Sequence, residues 1–340
     1  MAIILDTEGI SAATYRGYLA RSLFDGIAAQ LPDQRLVVTA PTDIQGLAYD
    51  KDAGDLPPQK GLFHQKKTAK WLQLHQVRAF ISFKRMLKTD HLIRQVLIIA
   101  GEEQLDDEKL IRSAPHICIV SEGLNQLFNE KYPGFRSRII LIDSIMDQDA
   151  PDYVTADDTR ETIASGREYF VLADFNLTQE SLTVLLKGFS AFKRMLHSSW
   201  KFMVVLRSEE TIRRAGIDQL LSNYKYRDDV IVTNGELLNE KLRDAYALVS
   251  MDDSERLPIP VIEAARVHTP AIVQDTRSAR ALLGTSVIYT SEKTSEAIGE
   301  MLMKMYKDEN FRQTLIKELK GLSLPTGSET AMRTLSSLLT

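Results

Sequence analysis

Along the chain, short continuous apolar runs alternate with longer stretches in which large apolar residues recur every three or four positions. Runs at 2–5, 35–39, 78–83, 95–100, 117–121 and 138–142 predict strands. Residues 15–30 carry Tyr15, Leu19, Leu23 and Ile27 at helical spacing. The strand candidates are solid Val, Ile and Leu rather than strictly alternating, the pattern of parallel strands covered on both faces. Strand and helix in alternation predict a doubly wound α/β domain.

The rhythm breaks over 147–167, which contains Pro151, many acids and few large apolar residues. It then restarts. A strand at 169–173 precedes a helix at 179–196 with apolar Leu182, Leu185, Leu186 and Phe189. Strands at 201–206, 230–233, 247–250, 271–274 and 286–289 follow, with helices at 237–245, 260–267 and 294–306. Residues 309–320 and 329–339 are helical on either side of a break at Pro325. The 340 residues exceed one ordinary α/β core and suit two of about 150 each. The expected organisation is an N-terminal Rossmann-like domain over 1–147, a linker over 148–167 and a second Rossmann-like domain over 168–322. A helical tail over 323–340 is free to pack back on the first domain. No internal repeat of solenoid length and no low-complexity tract is present.

Composition adds exclusions. The net charge is -4, from 42 basic and 46 acidic residues, so the whole molecule offers no field that would favour nucleic acid, and none is expected as a partner. The single cysteine, Cys118, lies in an apolar run; it can form no internal disulfide, fits no zinc pattern and reads as a buried strand residue. No stretch approaches 18 apolar residues, and the opening residues lack the basic region of a signal peptide. These features predict a soluble cytoplasmic protein, with peripheral membrane attachment left open.

The most specific signal runs from Ser254 to Ala265: Glu255-Arg256-Leu257-Pro258-Ile259-Pro260-Val261-Ile262-Glu263 sets two glutamates eight positions apart, with Pro260 entering a helix. By itself the pair also reads as solvated carboxylates at a helix start. Its context adds to it: a strand ends just before Glu255, and Thr269-Pro270 leads into the next strand. With 117–122 and 169–189, these stretches resemble the group 1 (family 4-like) glycosyltransferases and their E-x7-E motif. The resemblance implies the GT-B architecture, two doubly wound Rossmann-like domains facing a central cleft. It implies transfer of a sugar, by a hexosyltransferase-type reaction with retention, from a nucleotide-sugar to a glycan or lipid-linked acceptor. It calls for no cofactor and no metal. Glu263 would accept hydrogen bonds from the ribose hydroxyls, Ile259 and Pro260 would lie along the nucleotide, and Glu255 would be the catalytic-site carboxylate beside the donor sugar. A carboxylate suits a ribose because it accepts two hydroxyl donors at once.

The chain also departs from that family. The diphosphate-binding Arg and Lys after the opening strand are replaced by Asp174 and Gln179. Arg256-Leu257-Pro258 stands for the usual Gly-Phe-Gly, and His268 for a Gly. The run 96–103 lacks the family's histidine. Arg256, Arg277 and Arg280 are candidate phosphate ligands in compensation, as is Arg207, though each also reads as a surface arginine. Gly9 is a candidate for the acceptor-side loop or an ordinary turn glycine. These departures define the alternative, a catalytically inactive pseudo-glycosyltransferase serving as partner, scaffold or sugar-binding subunit.

One segment stands apart in charge. Residues 59–94 hold nine basic residues and one acid, interleaved with Phe63, Trp71, Leu72, Leu74 and Phe80. The stretch suits a solvated helix face, an anionic membrane surface, an anionic acceptor or an acidic protein partner.

Overall fold

A computed structural model describes residues 1–11, 14–39, 56–57, 63–89, 92–142, 159–207, 216–236, 238–322, 324 and 328–339. Most of the linker expected at 148–167 lies outside the described residues, as do residues 59–62 of the basic segment. Twelve strands form two parallel sheets. The first holds β1 (Ala2–Asp6), β2 (Arg35–Val38), β3 (Val77–Ser82), β4 (Arg94–Ile99), β5 (His116–Ile119) and β6 (Ile139–Leu141), in the order β2-β1-β3-β4-β5-β6. The second holds β7 (Tyr169–Leu172), β8 (Lys201–Leu206), β9 (Val230–Asn234), β10 (Ala247–Val249), β11 (Ala271–Gln274) and β12 (Ile288–Thr290), in the order β12-β11-β10-β7-β8-β9. Every expected strand is present, with ends shifted by at most two residues. Continuous burial of β1 and β7 explains their unbroken apolar sequences: helices cover both faces, so neither face needs polar residues.

Helix starts follow local chemistry. Thr14 accepts a hydrogen bond from the Gly17 amide and opens helix Tyr15–Gln30, whose Leu19, Leu23, Phe24 and Ile27 are buried. Thr178 and Ser181 form a reciprocal cap at the start of helix Gln179–Leu196. That helix packs against helix Ser295–Lys307 at close range through glycine. A Cβ added at Gly188 would stand 2.9 Å from Ile298 Cγ2 and 3.0 Å from the Ser295 carbonyl oxygen. Gly188→Val is therefore expected to lower stability by about 1–3 kcal/mol through overpacking, outweighing the gain of about 1 kcal/mol or less in helix propensity. Urea unfolding of the two proteins measures this, and an equally stable variant would show that the two helices can separate without loss.

The chain divides into two compact units. The first comprises Met1–Asp149, Ser254–Leu257 and Pro325–Thr340, and the second Ala150–Asp253 and Pro258–Leu324. Within the first, helix Ser328–Leu339 packs on helix Tyr15–Gln30, with Leu335 and Leu339 fully buried. Within the second, Phe170, Phe189, Phe192 and Phe202 anchor the core, with Trp200 packed against it.

Candidate active site

In a parallel sheet all carboxyl ends lie along one edge, and the ligand crevice opens where the strand order reverses. In the second unit that switch point lies between β7 and β10. Asp174, two residues past β7, spans it. One carboxylate oxygen accepts from Ser250 Oγ at 2.7 Å, the other from the Met251 amide at 2.6 Å. Asp174 is 3% exposed, and burial, then the nearby Asp252, push its carboxyl up to about 7 against the opposing hydrogen bonds and Arg207. Asp174 thus ties the crevice together instead of pointing a charge into solvent.

Beside this tie lies a buried ion pair. Arg207, just past β8, bonds Glu263 on helix Ile259–Arg266 through Nη2, and each side chain is 11% exposed. Arg207 Nε donates to the Ala173 carbonyl at 3.3 Å, and its guanidinium lies 4.0 Å from the Phe175 ring centroid. Helix Ile259–Arg266 starts after Pro258, and Pro260 fits its first turn, where an amide has no partner within the helix. Ile259 and Pro260 are buried in that turn. Thr276 caps helix Arg277–Leu283 at the same sheet edge, accepting from the Ala279 amide at 3.1 Å.

The first unit carries a counterpart. Its switch point lies between β1 and β3, and Asp6, at the end of β1, spans it. Asp6 is 2% exposed and accepts from Ser82 Oγ at 3.0 Å, Thr39 Oγ1 at 2.8 Å, and Arg85 Nε and Nη2 at 2.9 Å each. Arg85 also pairs with Glu8. Gly9, in the turn after β1, has φ +74°, a left-handed conformation that suits glycine, and a Cβ there would stand 3.6 Å from Lys84 Nζ.

The expected site residues divide as follows. Glu263, Ile259 and Pro260 lie in the second unit with Arg207, the candidate cation that pairs with Glu263. Arg280 is engaged elsewhere: it bonds Asp275 through two nitrogens at 2.7 and 2.9 Å and stacks 3.8 Å over Tyr289. Arg277 is exposed at its helix start. Glu255 and Arg256 belong to the first unit, where the Glu255 amide donates to Glu102 and Arg256 pairs with Glu103 at 3.2 Å. His268 has φ +59°, so the backbone keeps the left-handed turn even without the glycine. The Asp6 cluster and Ser250 are additions the sequence did not single out. Among the described residues no His, Cys, Asp and Glu group is arranged to hold a metal ion.

Two six-stranded parallel sheets, each in its own unit with polar residues gathered where the strand order reverses, define the GT-B class of α/β proteins. Solved structures share that fold over nearly the whole chain. HepE from Anabaena, solved with UDP, is 11% identical with a TM-score of 0.74, covering 99% of this chain and 99% of its own. A glycosyltransferase from Rickettsia africae is 10% identical with a TM-score of 0.71, covering 99% of this chain and 97% of its own. Sucrose-phosphate synthase from Thermosynechococcus elongatus is 14% identical with a TM-score of 0.69, covering 99% and 98%. At these identities the likeness is one of fold. No curated protein matches the chain by sequence. Residues 159–321, just under half of the chain, match the family described as glycosyl transferases group 1.

Proposed function

We propose that the chain transfers a hexose from a nucleotide-sugar to a glycan or lipid-linked acceptor, with retention of anomeric configuration, and that its second unit takes the donor. The observation that carries this reading is Glu263, buried on the helix that follows the β10 loop and paired with Arg207. In its proposed role Glu263 receives the ribose hydroxyls on its carboxylate, and Arg207 beside it supplies positive charge for the diphosphate in place of the family's missing Arg and Lys. Fixed cations matter here because charge accumulates on the departing nucleoside diphosphate. Glu255 keeps the role that the E-x7-E motif implies, beside the donor sugar. HepE, of the same fold, was solved with UDP, which supports a uridine nucleotide as the first one to try.

A second reading has its own observation. Asp174 stands where the family has a cation, and its carboxylate closes the crevice between β7 and β10. A pseudo-glycosyltransferase that keeps the fold as a partner or scaffold would tolerate this. Calorimetric titration with UDP, GDP and their sugar conjugates separates the two. Donor use predicts saturable binding at micromolar to low-millimolar affinity. Absence of binding by every nucleotide would leave the non-catalytic reading standing.

A further inference from the structure

The basic segment has a definite surface form. Helix His64–Leu74 buries Thr68 and Leu72 and exposes Lys66, Lys67 and Lys70. Leu72 joins Val77, Phe80 and Leu87 in one apolar cluster, with Trp71 and Ile93 packed against it. The helix and the segment around Leu87 and Ile93 are therefore neighbours over the first sheet, and Lys84, Lys88 and Arg94 are exposed on that second segment. From Phe63 to Arg94 the sequence holds eight basic residues and one acid, Asp90. Arg85 is neutralised by Asp6 and Glu8. The other seven basic residues form no ion pair among the described residues. Elsewhere cations such as Lys131 and Arg280 stand against a carboxylate.

Large apolar side chains are exposed in the same stretch. Phe63 is 66% exposed at one end of the helix, Leu74 is 74% exposed at the other, and Leu92 is 98% exposed between Lys88 and Arg94. A local excess of positive charge calls for an anionic partner, while exposed Phe and Leu call for an apolar one. A soluble polyanion satisfies only the first. An anionic lipid surface satisfies both, with phosphates for the lysines and the acyl boundary for the rings and leucines. We propose that this face of the first unit docks on an anionic lipid surface. No described helix is long and apolar enough to cross a membrane, so docking at this face is adsorption at the surface. The inference is independent of whether the second unit binds a nucleotide.

The test is sedimentation of the full chain with vesicles of phosphatidylcholine alone and of phosphatidylcholine with about a third phosphatidylglycerol. Binding is expected only to the anionic vesicles and should weaken with salt. Each exposed lysine multiplies the partition constant about fivefold, so Lys66→Gln, Lys67→Gln and Lys70→Gln together should lower it about a hundredfold. Phe63→Ser with Leu74→Ser should lower it at least about tenfold with the charge unchanged. All five positions are exposed, and circular dichroism checks that the variants fold. Equal binding to neutral vesicles, no binding to anionic ones, or full binding by the triple variant would overturn the proposal. Binding untouched by the Phe63 and Leu74 changes would also overturn it, in favour of a soluble acidic partner.

Discussion

Glu263→Ala is expected to destabilise the protein by about 3 kcal/mol and to remove nucleotide binding together. The stability loss comes from what remains: Arg207, 11% exposed at its side chain, loses its carboxylate partner and is left with weaker contacts that include the Ala173 carbonyl, 3.3 Å away, and the Phe175 face. Removing one partner of a buried pair costs about 3–5 kcal/mol, and the contacts that remain put this site at the low end. The binding loss comes from the lost charged acceptor, about 1.5–3 kcal/mol per hydrogen bond to a charged group. A double variant separates the two effects. Glu263→Leu with Arg207→Leu leaves no buried charge, so most of the stability should return while nucleotide binding stays absent. Urea unfolding and calorimetric titration of the three proteins measure both quantities. A single variant that unfolds like the wild type would mean that the pair contributes nothing to the fold.

Asp174 gives the second large effect, and it depends on pH. Its carboxyl is pushed up to about 7 from an ordinary 3.8, chiefly by burial. The folded protein therefore holds this proton in a range where the unfolded chain has released it. The Asp174 contribution is fully present below about 3.8, falls as pH rises through the folded value, and is flat above it. Between about pH 5 and pH 8 the wild type should lose about 2–3 kcal/mol from this group. Asp174→Asn keeps both hydrogen bonds, donating to Ser250 Oγ and accepting from the Met251 amide, and has no proton to release. Its advantage over the wild type should thus grow by that amount between the two pH values. Parallel urea curves at both pH values check it, and a constant difference would place the Asp174 pKa near its unfolded value.

The strands were legible because continuous Val, Ile and Leu runs have few other uses in a soluble chain. Helix Gln179–Leu196 was legible because Leu182, Leu185, Leu186 and Phe189 recur at helical spacing. The pairing of distant side chains was not. Asp174 in place of an arginine reads as a lost cation and a charge set against a phosphate. Its actual direction depends on β10 lying beside β7, with Ser250 76 residues further on. The Asp6–Arg85 pair spans 79 residues and forms because β3 returns beside β1. Arg207 was visible as a residue after a strand, but its partner was not, since Glu263 reaches it from a helix two strands later in the chain. Strand order decides each of these contacts, and an apolar run carries no label for its neighbour.

The place of helix Ser328–Leu339 sets an order on synthesis. It covers helix Tyr15–Gln30, made near the beginning, yet it leaves the ribosome after every strand of both sheets. The second unit can close its core while the first still shows the bare flank of its opening helix. The unit begun first is thus completed last. A nascent chain arrested before Ser328 would carry that apolar flank into the cell uncovered, as a surface for chaperones to hold.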